Sequence, residues 1–350
     1  PLWLRHTSSP SRISSLPWWY LAGTVAGLCQ AAAMGAFLGQ FARTCYGVTL
    51  AINMLWTTAL MNIVYLIPMG RKWHQGMCLV LTQLGWRIAL LFAPWVKCQG
   101  DDDYVEQWSL VLSLMADYQA DAAREGKPPR PLFILGNHAS FFDTVLAVAK
   151  FPVQVVWRVR TYMSNHLFKL PVLSTICKSV GHFPVHFTSS ESGKFKVDAE
   201  KMEAVEKSVD AHLKDGGWLC FFPEGQMNKE PDKILPFRFG GMKRALEFDA
   251  ALVMLVFRGN TDVWPLKAQV GGFPGRVRYS LRTVAMDGAK AFVEMARSEG
   301  NPEEKDMPDH EILARRAQEL MQAQYDALGD ERQSGISSLQ GRMKNSAKKD

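Results

Sequence analysis

From residue 18 to residue 96 the chain is apolar and almost free of charge; beyond residue 100, short apolar runs alternate with longer amphipathic ones. Two uncharged stretches, residues 18–41 (24 residues) and 44–69 (26 residues), each exceed the ~20 apolar residues that cross a hydrocarbon core. Only Ala42 and Arg43 separate them. The pattern predicts a helical hairpin that is transmembrane or re-entrant. Gly23, Gly27, Gly35 and Gly39 would allow close helix approach, and Trp18, Trp19 and Tyr20 suit the interface. A pair of buried core helices is the competing explanation. A third apolar segment, residues 77–96, carries Arg87 and Pro94 and fits an interfacial position better than a span.

The remainder predicts an α/β domain over residues 100–328, a mixed sheet flanked by helices. Asp101, Asp102 and Asp103 are placed to cap a helix running to about residue 119, with Val105, Trp108, Leu112 and Met115 on its apolar stripe. Residues 131–135 predict a buried strand ending at Gly136, with a helix starting at Asn137. Strands are predicted at residues 153–159, 180–185, 218–222 and 252–257, and an edge strand at 276–281. Residues 198–214 show an amphipathic helix with Met202, Val205, Val209 and Leu213 on one face. Residues 303–328 predict the last helix, and 329–350 a loose polar tail.

Charge sharpens this division. Residues 1–100 hold no Asp or Glu but seven basic side chains: Arg5, Arg12, Arg43, Arg71, Lys72, Arg87 and Lys97. The other 250 residues carry 33 basic and 34 acidic ones, so the net +6 lies in the first hundred. Positive charge bracketing apolar runs argues for a bilayer and against nucleic acid. It places both ends of the hairpin, and the catalytic domain, on the cytosolic or matrix side. The acid-free, Ser- and Arg-bearing first twenty residues resemble the remnant of an organellar address. The six cysteines form no CxxC pair, which favours buried structural thiols over a metal site.

The candidate chemistry lies at the end of the first buried strand, in Asn137-His138-Ala139-Ser140-Phe141-Phe142-Asp143. A neutral imidazole can take a proton from an attacking hydroxyl while a carboxylate on its other nitrogen fixes the tautomer. His138 and Asp143 are i and i+5, roughly 140° apart on a regular helix, so a looser first turn is needed for them to meet. Ser140 reads as a helix-start or packing residue, since a substrate alcohol that attacks directly needs no nucleophilic serine. Taken singly, His138 is equally well a structural histidine.

A second block, Phe222-Pro223-Glu224-Gly225, changes that balance. Together the two blocks resemble the NHxSxxD and FPEG motifs of the glycerolipid acyltransferases, the family that includes the lysophosphatidic acid (1-acyl-sn-glycerol-3-phosphate) acyltransferases. The resemblance covers residues 85–285. It implies a glycerol-3-phosphate acyltransferase-like fold, His138 as general base and Asp143 as its orienting partner. Glu224 and Gly225 would position the acceptor, Asn137 would sit in the substrate site, and Arg238 in residues 235–240 would contact phosphate. The family's Thr-Arg after Glu-Gly is replaced by Gln226-Met227-Asn228, and His186 stands where an arginine is usual. Lys229, Arg238, Lys243 and Arg244 are the candidate substitutes.

The resemblance implies transfer of an acyl group from acyl-CoA, as co-substrate, to the free hydroxyl of lysophosphatidic acid or a similar lysophospholipid, with no cofactor or metal. The same chemistry on glycerol-3-phosphate or another lysolipid is the alternative, and a non-catalytic subunit of a membrane protein complex a third. The expected partners are membrane lipid, acyl-CoA and the bilayer. The expected location is an integral membrane one in the endoplasmic reticulum, with mitochondrion or plastid as alternatives.

Overall fold

The computed structural model describes the backbone of residues 18–188 and 196–346, and side chains at residues 35, 37–187 and 197–329. The address-like first residues and the interfacial Trp18, Trp19 and Tyr20 side chains lie outside those descriptions.

Helix α1 (Trp18–Val64) runs unbroken through both uncharged stretches, so the hairpin turn expected at Ala42–Arg43 is absent. Arg43 is accommodated in the helix by partners from far along the chain: Nε donates to the Val270 carbonyl at 2.9 Å and the guanidinium lies over the Phe273 ring. The antiparallel partner of α1 is instead α2 (Arg71–Leu91), reached through residues 65–70. Asn53 of α1 donates to the Gly85 carbonyl of α2, and Tyr65 stacks on His74 at 4.9 Å. Among the described residues, one segment, Phe37–Val64, is long and apolar enough to cross a membrane.

Strand β1 (Val96–Gly100) leads into α3 (Tyr104–Glu125). Asp103 sits at its N-cap, yet its carboxylate takes Arg282 Nη1 at 2.9 Å rather than capping. Strand β2 (Leu132–Gly136) is followed by α4 (Phe142–Lys150) and α5 (Val153–Arg158), and β3 (Val159–Ser164) by α6 (Leu173–Ser179) and β4 (Phe183–Val185). A small hairpin of β5 (Phe187–Thr188) and β6 (Lys196–Val197) precedes α7 (Ala199–Lys214), capped by Asp198, and then β7 (Trp218–Phe221). Helix α8 (Phe239–Glu247), β8 (Ala251–Arg258), α9 (Asn260–Val263), β9 (Gly275–Ala285), α10 (Ala289–Ser298) and α11 (Asp309–Ser346) complete the chain. Helix α11 continues past residue 328 to Ser346, where a loose tail was expected.

The seven-stranded sheet has the order β1-β9-β8-β2-β7-β3-β4. Strands β8, β2, β7, β3 and β4 are mutually parallel, while β9 is antiparallel to β8 and parallel to β1. Two sequence expectations change here. Residues 153–158 form α5, because Pro152 begins a helix whose Val155 and Val156 pack into the core. The alternating strand β9 is interior, because β1 adds outside it.

Alternation along each strand sends side chains to two cores. Leu132, Ile134, Val253 and Leu255 face α1–α5, with Tyr46, Leu79, Trp108 and Phe142. Phe133, Leu135, Leu219 and Leu252 face α7, α8, α10 and α11, with Val209, Met242 and Met321. Burial on both faces accounts for the continuous apolar run of β2. Each such side chain contributes roughly 1.5–3 kcal/mol by leaving water.

Candidate active site

The site forms where β2 and β7 end, at the carboxyl edge of the parallel strands, the usual position for chemistry in an open α/β sheet. Helix α4 starts at Phe142, so residues 137–141 form a turn before it, and His138 is not helical. That removes the angular problem of an i, i+5 pair. His138 Nδ1 lies 3.0 Å from Asp143 Oδ2. The same Oδ2 accepts the main-chain N–H of Ala139 at 2.8 Å and of Ser140 at 2.9 Å, while Oδ1 accepts from Asn260 Nδ2. Asp143 is 1% exposed, so these donors stand in for water. An anionic Asp143 makes Nδ1 the protonated nitrogen of a neutral His138 and leaves Nε2 as acceptor. The His138 side chain keeps 18% exposure. Its ring stacks on Phe222 at 4.1 Å between centroids. A Cβ on Gly136 would stand 3.0 Å from that Phe222 ring, so glycine at the strand end lets the ring lie close.

The neighbouring polar residues brace the turn. Asn137 is buried, with Nδ2 donating to the Phe257 carbonyl at 2.9 Å and Oδ1 accepting its N–H at 2.8 Å. Asn137, expected in the substrate site, ties the turn to β8 through both ends of its amide. Glu224, 1% exposed, accepts the His138 N–H on Oε1 at 2.7 Å and the Leu235 N–H on Oε2 at 3.0 Å. It too joins two loops. Burial pushes its proton affinity up, against those two N–H groups that pull it down. Ser140 Oγ donates to the Trp264 carbonyl at 2.7 Å and accepts the Phe142 N–H at 3.1 Å, the helix-start role expected of it. Trp264 is in turn packed edge-on by Tyr46 of α1, and Phe141 lies beside it with its own ring half-exposed.

Residues 120–258 match the family model described as Acyltransferase. Over that stretch the chain is similar to the acyltransferase family. Its fold is similar to that of the 1-acyl-sn-glycerophosphate (LPA) acyltransferase, PlsC, from Thermotoga maritima: TM-score 0.53 at 13% identity, covering 78% of this chain and 99% of that one. No curated protein matches. The matched stretch contains both sequence blocks and the strands that carry them.

Around this site the candidate cations separate into two kinds. Arg244 is committed to Glu206 at 2.5 Å and to Asp210, and so is excluded as a free anion ligand. Arg238 is exposed, caps α8 with its main chain and has no side-chain partner among the described residues. It lies against Gly225: with φ +70° there, an added Cβ would be strained and only 2.8 Å from Arg238 Cγ. Lys229 and Lys243 are exposed on the surface. Asn228, in the stretch replacing the expected Thr-Arg, donates its N–H to the His138 carbonyl at 2.6 Å and bonds Lys233 and Glu230 through its side chain. Asn228 and Asn260 escaped the sequence reading. A polar residue directly after the Gly259 that ends an apolar strand was the available signal for Asn260.

Proposed function

We propose that this acyltransferase domain transfers a fatty acyl group from acyl-CoA to the free hydroxyl of a lysophosphatidic acid or similar lysophospholipid. The observation that carries the mechanism is the 3.0 Å contact between His138 Nδ1 and Asp143 Oδ2, with the far side of the imidazole reachable. His138 Nε2 takes the proton of the acceptor hydroxyl as its oxygen attacks the thioester carbonyl. Collapse of the tetrahedral adduct expels the CoA thiolate, and the imidazolium gives up its proton afterwards. Asp143 holds the ring and steadies its positive charge. Arg238, a guanidinium beside the Gly225 turn and unpaired among the described residues, is the group suited to the acceptor's phosphate.

Membrane residence of the acceptor fits the outer face of the helical pair, where Phe41, Ile52, Leu55, Trp56 and Ile63 of α1 and Trp73 and Leu91 of α2 are exposed without interleaved acids. A contiguous apolar surface of this kind belongs against lipid. Purified full-length protein in lipid nanodiscs, given labelled acyl-CoA and a panel of lysophospholipids and glycerol-3-phosphate, tests the reading. Turnover should appear on one or more lysophospholipids and vanish in His138→Ala. Full activity in that variant would sink the mechanism, and turnover only on glycerol-3-phosphate would move the acceptor.

A further inference from the structure

We propose that Asn260 is a positioning residue for the catalytic pair: its amide holds Asp143 Oδ1 so that Oδ2 is left to His138, and it sets how readily His138 takes a proton. The inference rests on the reading of His138 as the base.

Asn260 comes 117 residues after Asp143 in the chain and reaches the turn because β8 ends beside β2 and the Gly259 turn redirects the backbone into α9. It is 2% exposed. Its Nδ2 donates to Asp143 Oδ1, while its own Oδ1 is enclosed with no hydrogen-bond partner among the described residues. An enclosed amide oxygen without a donor is unfavourable, and an apolar side chain of similar volume would avoid it. What the amide supplies, and leucine would not, is a donor to a carboxylate.

The donors on Asp143 divide by origin. The three on Oδ2, from His138, Ala139 and Ser140, all belong to the turn itself. Among the described residues Asn260 alone reaches Oδ1, from outside the turn, and so fixes the carboxylate's rotation from an independent element. It also withdraws charge. Each N–H given to a carboxylate weakens the field that carboxylate exerts on its partner. Without the Asn260 donor, Asp143 would stabilise the imidazolium more strongly, and His138 would be protonated, and useless as a base, up to a higher pH. Among the described residues, Glu224 from the turn after β7 is the titratable group against the pair, bound to the His138 N–H. Asp262, on the same short helix as Asn260, acts on Tyr325. Arg238 lies across Gly225.

The test uses full-length protein in nanodiscs with Asn260→Leu and Asn260→Ser. Acyl transfer is followed against pH, and the His138 ring is titrated by carbon NMR, its signal assigned by loss in His138→Gln. Asn260→Leu should lower kcat about ten- to a hundredfold, the size of one hydrogen bond to a charged group, with KM for both substrates within about twofold. The acid limb and the His138 titration should both move up by about one pH unit. Asn260→Ser, which keeps a donor, should recover part of each change. A folded Asn260→Leu protein with kcat and the His138 titration unchanged overturns the proposal. Lost activity with the titration unmoved also overturns it, by making the role purely structural. Should the leucine variant not fold, the serine variant decides by the same two readings. Wild-type protein inactive on every acceptor would defeat the functional reading alone, and the ring titration would still judge Asn260.

Discussion

Glu224 meets His138 through the histidine's main chain: Oε1 accepts the His138 N–H at 2.7 Å while Oε2 accepts the Leu235 N–H at 3.0 Å. The glutamate therefore fixes where the imidazole starts from, and both its oxygens must be acceptors. In Glu224→Gln one acceptor becomes an NH2 facing an N–H. The expected result is a loss of roughly 1.5–3 kcal/mol in stability, measured by thermal or denaturant unfolding. The matching kinetic outcome is a fall in kcat with KM for the acceptor nearly unchanged. A rise in KM alone, at unaltered stability, would instead make Glu224 a substrate ligand.

Asp143→Asn removes the charge that selects the His138 tautomer and puts an NH2 where one oxygen now accepts from Ala139, Ser140 and His138. A drop in kcat of about 10³–10⁴ is expected, the scale seen when a base loses its orienting carboxylate. Steady-state kinetics across pH checks it. Retention of more than a tenth of the wild-type rate contradicts the assigned role.

Arg238→Gln should act on binding alone. The side chain is exposed and unpaired among the described residues, so stability should hold, while KM for phosphate-bearing acceptors rises about tenfold, the worth of one charge-assisted contact. Comparing acceptors with and without a terminal phosphate monoester is the informative measurement. An equal loss on both would move the phosphate site elsewhere.

The outer face of the helical pair predicts a separable defect. Replacing Leu55, Trp56 and Ile63 together by Asp should cut affinity for lipid vesicles at least ~100-fold, since each apolar side chain is worth roughly 1.5–3 kcal/mol when removed from water. Vesicle flotation reads this directly. The spectrum and melting of the catalytic domain should be preserved, because these side chains point away from the core.

Two histidines away from the site predict acid sensitivity. Burial first, then the Arg160 guanidinium, lowers His182 to about 3 and His212 to about 4 from 6.5. His182 Nδ1 accepts the Thr161 N–H at 3.3 Å, a bond only the neutral ring can make. Below pH 6.5 the unfolded chain binds protons that the fold refuses, so stability is full above 6.5 and falls as pH drops towards 4. The slope is about 1.4 kcal/mol per pH unit for each ring. Denaturant unfolding between pH 7 and pH 4 checks this, and His212→Gln should make the curve shallower.

Local patterns carried much of this architecture, and long-range partners decided the rest. The alternation and apolar runs located β2, β7, β8 and the amphipathic α7 to within a residue or two. They misread residues 153–158, whose β-branched run folds as α5 because it packs on α2 between α4 and β3. They also placed a hairpin turn at Arg43, whose charge finds a carbonyl and an aromatic ring more than 200 residues away. In the site, His138 and Asp143 were legible because they share one turn. Asn260, and the strut role of Asn137 towards Phe257, were not: each depends on β8 lying beside β2, and no local pattern encodes that register.

Tyr46 of α1 packs edge-on against Trp264, and the Trp264 carbonyl holds the hydroxyl of Ser140 inside the catalytic turn. The helix with an exposed apolar face on one side therefore packs, on the other, against the indole that steadies the His138 turn. Trimming the chain to begin near residue 100, the obvious route to a water-soluble enzyme, would strip the cover from that indole and loosen the turn it steadies. The protein is better solubilised with its helix in place, by wrapping the greasy face in detergent or a lipid disc, than by cutting the helix away.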